Sequence, residues 1–125
     1  MAVNYPVRRR DEPLRALFFI GVTQSWFDSD RATRGAVVDA LKAAFEDLEG
    51  RFGVRVLGTF DDDEMMVGAS VNWPWTGYIL AETGNVENVI EVCNLMRETA
   101  VGGVQLWKYL RIEARIGSPL FFGTR

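Results

Sequence analysis

An α+β fold of the ferredoxin-like kind, βαββαβ, with an antiparallel sheet and both helices on one face, follows from three observations on the 125-residue chain. Four short stretches carry continuous or alternating hydrophobic residues, as strands do. Two longer stretches space them by three and four, as amphipathic helices do. Their order is strand, helix, strand, strand, helix, strand, which is the split βαβ plan. A chain of this length with 48% hydrophobic residues makes one domain with a real core. Residues 1–13 are expected as a mobile tail, and 14–125 as the single domain.

Leu14 to Val22, after Pro13, is a nearly continuous apolar run and predicts a strand buried on both faces. Thr23 to Asp30 is a loop holding Trp26 and Phe27, with Asp28 or Ser29 as cap for the helix that follows. From Arg31 to Glu49 the residues Ala36, Val37, Ala40, Leu41, Ala44, Phe45 and Leu48 form one apolar stripe, and Gly50 is the expected stop. Gly53 to Phe60 is a second strand, with Val54, Val56 and Phe60 on one side and Arg55, Leu57 and Thr59 on the other. Trp75 to Glu82 is the third. Asn85 caps a second helix running to about Thr99, with Val86, Val89, Ile90, Cys93 and Met96 as its buried stripe. Gly102-Gly103 then turns the chain into a long last strand, Val104 to Gly117.

Only one face of such a sheet is covered by helices. Small proteins of this plan commonly cover the other by dimerising sheet to sheet into an α/β barrel, so a homodimer is expected. Period two divides the last strand between an apolar face (Leu106, Leu110, Ile112, Ala114, Ile116) and a face of Gln105, Trp107, Tyr109, Arg111, Glu113 and Arg115. Aromatic rings supply a platform and arginine a bidentate clamp for a carboxylate, so this second face is a candidate ligand site. The alternative is an ion ladder of Arg111, Glu113 and Arg115 with Trp107 and Tyr109 buried in a dimer contact. The segment Asn72 to Tyr78 adds Trp73, Trp75 and Tyr78 around Pro74. Proline excludes a mid-sheet position, so this stiff corner walls a pocket, meets another subunit, or packs on the core.

Composition removes several functions. The formal net charge of −3 and a pI near 5.0 argue against nucleic acid as the main partner, which needs a clustered basic surface, and Arg8-Arg9-Arg10 is read as a short solvated tail. The chain lacks an apolar run of about 18 residues and an apolar leader, so no membrane partner and a cytoplasmic location are expected. With no histidine, Ser-His-Asp and Cys-His catalysis and histidine-containing zinc or iron sites are excluded. Asp61-Asp62-Asp63-Glu64 lacks the alternation and central glycine of a calcium loop, so no metal is expected, though one carboxylate there remains a candidate base. Cys93, the one cysteine, falls on a predicted buried stripe and is an inert core thiol.

Several of these segments also carry a resemblance. Asp61-Asp62-Asp63, Met66-Val67-Gly68, Trp73-Pro74-Trp75-Thr76, Cys93-Asn94-Leu95, and Leu106-Trp107-Lys108-Tyr109 through Glu113-Ala114-Arg115-Ile116-Gly117 resemble the small B protein of bacterial indole-3-acetic acid catabolic clusters. The resemblance runs from about Leu14 to Gly117. It implies a role in breaking down indole-3-acetate, or a related indole, towards catechol or anthranilate. Related small proteins look like cofactor-free oxygenases acting on 3-hydroxy-oxindoles, so a cofactor-independent monooxygenase is one expectation and a non-catalytic accessory protein for an indole-derived ligand the other. In the first case Arg111 and Arg115 stabilise negative charge and Asp62 or Glu113 is the base. Trp73, Trp75, Tyr78, Trp107 and Tyr109 then hold the small aromatic ligand.

Overall fold

A computed structural model describes residues 12–69 and 74–122. The expected tail over 1–13 lies largely outside the described residues, as does Trp73. Strand β1 (Leu14–Val22) matches its apolar run and sits in the middle of the sheet. Helices α1 (Gln24–Asp28), α2 (Arg31–Ala44) and α3 (Leu48–Phe52) lead to β2 (Val54–Asp61), and β3 (Trp75–Thr83) follows. Helix α4 (Val86–Glu98) precedes a short hairpin, β4 (Ala100–Val101) with β5 (Val104–Gln105), a helical turn α5 (Leu106–Tyr109) and β6 (Leu110–Gly117). The four long strands lie in the order β2-β3-β1-β6 and every neighbouring pair is antiparallel. The fold is therefore the ferredoxin-like α+β sandwich, with α2, α3 and α4 on one face.

Alternation along β1 places Ala16, Phe18 and Ile20 under the helices, and Arg15, Leu17 and Phe19 on the opposite face. Two apolar clusters fill the covered side. Around Phe18 gather Ala16, Leu48, Val54, Ala81, Val89 and Val92; around Leu106 gather Val37, Ala40, Met96 and Leu110. Each large side chain fully buried there contributes about 1.5–3 kcal/mol through the hydrophobic effect. Thr83 is the one buried polar residue among those described, and its hydroxyl donates to the Gly53 carbonyl (2.9 Å) and accepts from the Asn88 amide (2.9 Å). A buried hydroxyl left unpaired there would be costly.

Besides helix α1 within the expected loop Thr23–Asp30 and Asp30, rather than Asp28 or Ser29, as the cap of α2, four boundaries and faces depart from the sequence reading. The first long helix stops at Ala44, because Asp47 adopts a left-handed conformation (φ 49°) and its carboxylate caps α3 through the Gly50 amide. Gly53, not Gly50, supplies the left-handed stop (φ 69°). The buried stripe of α4 is rotated by about one position, to Val89, Val92, Leu95 and Met96 with Cys93 half-buried, leaving Val86 and Ile90 exposed. In β2 a bulge between Val56 and Gly58 inserts one residue, so Thr59 pairs with Ile79 and Phe60 with Tyr78. Phe60 is thereby moved to the open face, since one extra residue exchanges the two sides of a strand.

The fourth departure is the largest. The last strand begins at Leu110 rather than Val104, because Gly102 (φ 58°) and Gly103 (φ 82°) close a two-residue hairpin and Leu106–Tyr109 winds into a helical turn. Period two therefore does not hold across residues 104–109. No described helix is long and apolar enough to cross a membrane.

Candidate functional site

The face of the sheet away from the helices carries an aromatic floor. Register sets Phe60, Tyr78, Phe19 and Glu113 in one row across all four strands. The Phe60 and Tyr78 rings have centroids 5.6 Å apart, and Tyr78 meets Phe19 edge-on at 5.7 Å. Trp75 closes the row from the next position, 5.9 Å from Phe19. These tilted and edge contacts are the arrangements that ring quadrupoles favour.

Trp75 lies where it does because of Gly21. At the irregular end of the β1–β3 ladder, Gly21 pairs with Trp75, and a Cβ on Gly21 would collide with the Pro74 carbonyl oxygen and crowd the indole at 3.2 Å. A glycine is needed for this close approach of backbone to backbone.

Asp62 is the acid of the site. The Tyr78 hydroxyl donates to its Oδ2 (2.9 Å) and also lies 3.2 Å from the Trp75 carbonyl oxygen. The Asp62 amide donates to the Thr76 carbonyl (3.0 Å), which ties the carboxylate to the end of β3. Phe60, Asp62, Trp75 and Tyr78, with Met65 and Met66 on the outer side, enclose an open pocket of about 450 Å³. It can stack a flat ring against aromatic walls, adapt through the flexible thioethers, and offer one carboxylate oxygen to a donor.

Beyond Phe19 the face turns charged. The Arg115 guanidinium stands 5.6 Å from the centre of the Phe19 ring and pairs with Glu113 at 2.9 Å. Both partners are well exposed, so the ion pair itself is worth about 0–1 kcal/mol. At the far end Arg55 pairs with Glu82 at 3.1 Å.

Of the residues expected at the site, Asp62, Trp75 and Tyr78 come together, and Glu113 and Arg115 stand beside them across Phe19. Trp107, Tyr109 and Arg111 do not join them. Because α5 is helical, Trp107 is 55% exposed and borders, with Cys93, Asn94 and Arg111, a separate hollow at the junction of α4 and β6. Tyr109 faces the other way, packing on the Leu106 cluster and bordering a polar hollow with Asp28, Asp30 and Lys108. Arg111 pairs in register with Gly21, but it sits on an edge strand and reaches the hollow beside α4. The expected common face of Trp107, Tyr109 and Arg111 is thus corrected by the helical turn.

Two floor residues escaped the sequence reading. The sequence reading groups Phe60 with Val54 and Val56 on one side of the strand because it does not count the bulge, although Gly58 inside an otherwise regular strand is a known mark of one. Phe19 belonged to a run too uniformly apolar for its faces to be told apart. Among the described residues no three Cys, Asp or Glu side chains gather to hold a metal ion. Burial raises the Cys93 thiol pKa above its ordinary 9.0.

No family model and no curated protein matches the chain. A solved structure described as a dimeric protein of unknown function with a ferredoxin-like fold, from Bacteroides fragilis NCTC 9343, is similar at 11% identity, covering 82% of this chain and 94% of its own, with a TM-score of 0.40.

Proposed function

We propose that the protein acts on a small indole-derived ligand, an oxindole-type intermediate of indole-3-acetate breakdown, held on the open face of the sheet, and that it promotes reaction of this ligand with oxygen without a cofactor. The observation that carries the proposal is the contiguous floor of Phe60, Tyr78, Phe19 and Trp75 with the Asp62 carboxylate at one end and Arg115 at the other. Tyr78 and Glu113 stand two strands apart, about 10 Å by strand spacing. A bicyclic ring with a short carboxylated arm spans that distance, ring towards Trp75 and carboxylate towards Arg115.

Asp62 is the base in this scheme. It removes the proton next to the oxindole carbonyl, and the Tyr78 hydroxyl turns from the carboxylate to the developing enolate oxygen. The enolate carbon gives its electron pair to oxygen: one C–H bond is lost, one C–O bond forms, and the proton ends on the resulting hydroperoxide. Two copies stacking sheet to sheet would exclude water from this step and bury Phe60, which is 63% exposed in the single chain.

A second reading, a binding or accessory protein for the same ligand, draws on one specific observation. The charged groups beside the floor are already partnered, Asp62 by Tyr78 and Glu113 by Arg115. Oxygen uptake by EDTA-treated protein given oxindoles with and without an acetate arm separates the two. Uptake above the spontaneous rate that falls in Asp62→Asn supports catalysis. Saturable tryptophan quenching without uptake supports the accessory role, and neither signal removes both.

A further inference from the structure

On the helix side of the sheet, at the same end, a second cavity of about 300 Å³ lies between α2 and the strands. That is at the lower end of the ~300–1,000 Å³ typical of ligand pockets. Its floor is the row Asp61, Gly77 and Ile20, which register sets side by side on β2, β3 and β1. Its roof is Val38 and Leu41 of α2, and Trp26 of α1 closes one side. The Trp26 segment is well anchored: the Thr23 amide and hydroxyl donate to the Tyr109 and Lys108 carbonyls (2.9 and 2.6 Å), and Arg34 donates to the Trp26 and Phe27 carbonyls (3.1 and 2.8 Å).

Gly77 is the telling residue. Glycine weakens a strand interior, and it often marks a place where something approaches the backbone closely. Here its φ is not positive, and an added Cβ would meet nothing nearer than Ile20 at 3.8 Å, an ordinary contact. The backbone does not require a glycine at this position, and the missing side chain is what leaves the floor of the cavity open. Among the described residues, Asp61 is the one charged group on the wall, and no cation borders the cavity. Among the described residues the Asp61 carboxylate has no hydrogen-bond or salt-bridge partner shown, and the group does not depend on the open-face site.

We infer that this helix-side cavity is a binding site for a neutral or cationic planar aromatic that donates an N–H to Asp61, stacking over Gly77 and against Trp26. The chemistry of the wall turns away carboxylated rings, because Asp61 would repel them and nothing there would pair with them. The inference is independent of the open-face reading: it concerns the other side of the sheet and a ligand of opposite charge preference.

Methyl-labelled protein titrated with indole, with isosteric benzothiophene and with indole-3-acetate tests it. Intermolecular NOEs from indole to the methyls of Val38, Leu41 and Ile20 are expected, with binding of benzothiophene and indole-3-acetate each weaker by roughly tenfold. Gly77→Val fills the floor and Val38→Phe fills the roof, and each is expected to weaken indole binding by roughly tenfold or more. Asp61→Ala is expected to abolish the preference for indole over benzothiophene. NOEs confined to the open-face methyls of Leu17 and Leu80 overturn the inference, as does the absence of saturable binding up to the solubility of indole. Unchanged affinity in a filling variant with a native-like spectrum overturns it too. If Gly77→Val does not fold, Val38→Phe decides.

Discussion

Phe18 and Phe19 are adjacent in the chain and opposite in circumstance. Phe18 is 0% exposed and enclosed by α4, α3 and three strands, whereas Phe19 is 9% exposed and meets Trp75, Tyr78 and the Arg115 guanidinium on its own sheet face. The covered face is completed by the helices of the same chain. The open face leaves Phe60 and Leu80 in contact with solvent. One side is filled by the chain itself, and the other leaves apolar and aromatic surface exposed.

The largest effect separating the two faces is expected in unfolding. Phe18→Ala should lower stability by about 3–5 kcal/mol in urea titration, since the surrounding core cannot collapse onto the void. Phe19→Ala should cost clearly less, because its neighbours can relax towards solvent. Equal losses would mean that the open face is core after all.

Association comes next. Phe60→Arg together with Leu80→Arg should leave the unfolding midpoint near that of the parent protein while converting a dimer to monomers in analytical ultracentrifugation. A parent protein that sediments as a monomer at all concentrations would remove the second copy from the picture.

Smaller still is Tyr78→Phe, which takes the hydroxyl from Asp62 and from the Trp75 carbonyl. About 0.5–1.5 kcal/mol of stability should go with that hydrogen bond. The proposed turnover should fall by far more, and a loss confined to stability would make Tyr78 a structural residue only.

The cap of α4 belongs to the covered side. Asn85→Ala removes the acceptor of the Asn88 amide (2.9 Å) and should cost about 1 kcal/mol, with ligand binding unchanged.

The smallest effect is electrostatic. Burial raises the Cys93 pKa above 9.0, so the folded protein holds its thiol proton where the unfolded chain releases it. The neutral thiol is favoured by folding, so this contribution is intact below about pH 9 and is lost as pH rises through the folded pKa. Iodoacetamide labelling should accordingly be slower in the folded protein than in urea at pH 8. Equal rates would place the thiol in solvent.

How much of this was legible in the chain follows the strength of each local signal. Leu14–Val22 and the Asn85-capped helix came out at their observed positions because an unbroken apolar run and a side-chain cap are local facts. Trp75 and Tyr78 stood out because proline and clustered aromatics are wasteful in an ordinary core, and Asp62 because it lies in a run of four acids. Phe60 was lost to a one-residue bulge, and Trp107 and Tyr109 to a one-turn helix, both of which change the phase of a period-two pattern without changing its composition, whereas Arg111 keeps its register on an edge strand.

Local pattern is enough for the type and order of the six main elements, the absence of histidine chemistry and a surplus of aromatic residues at one corner. Periodicity and composition are properties of neighbours along the chain, and they survive without a fold. The tertiary structure set which face Phe19 and Phe60 occupy, that both join the aromatic row of the open face, and that Gly77 leaves room beneath α2. Those outcomes depend on strand register and helix docking, where contacts between residues far apart in sequence set the phase that local pattern leaves open.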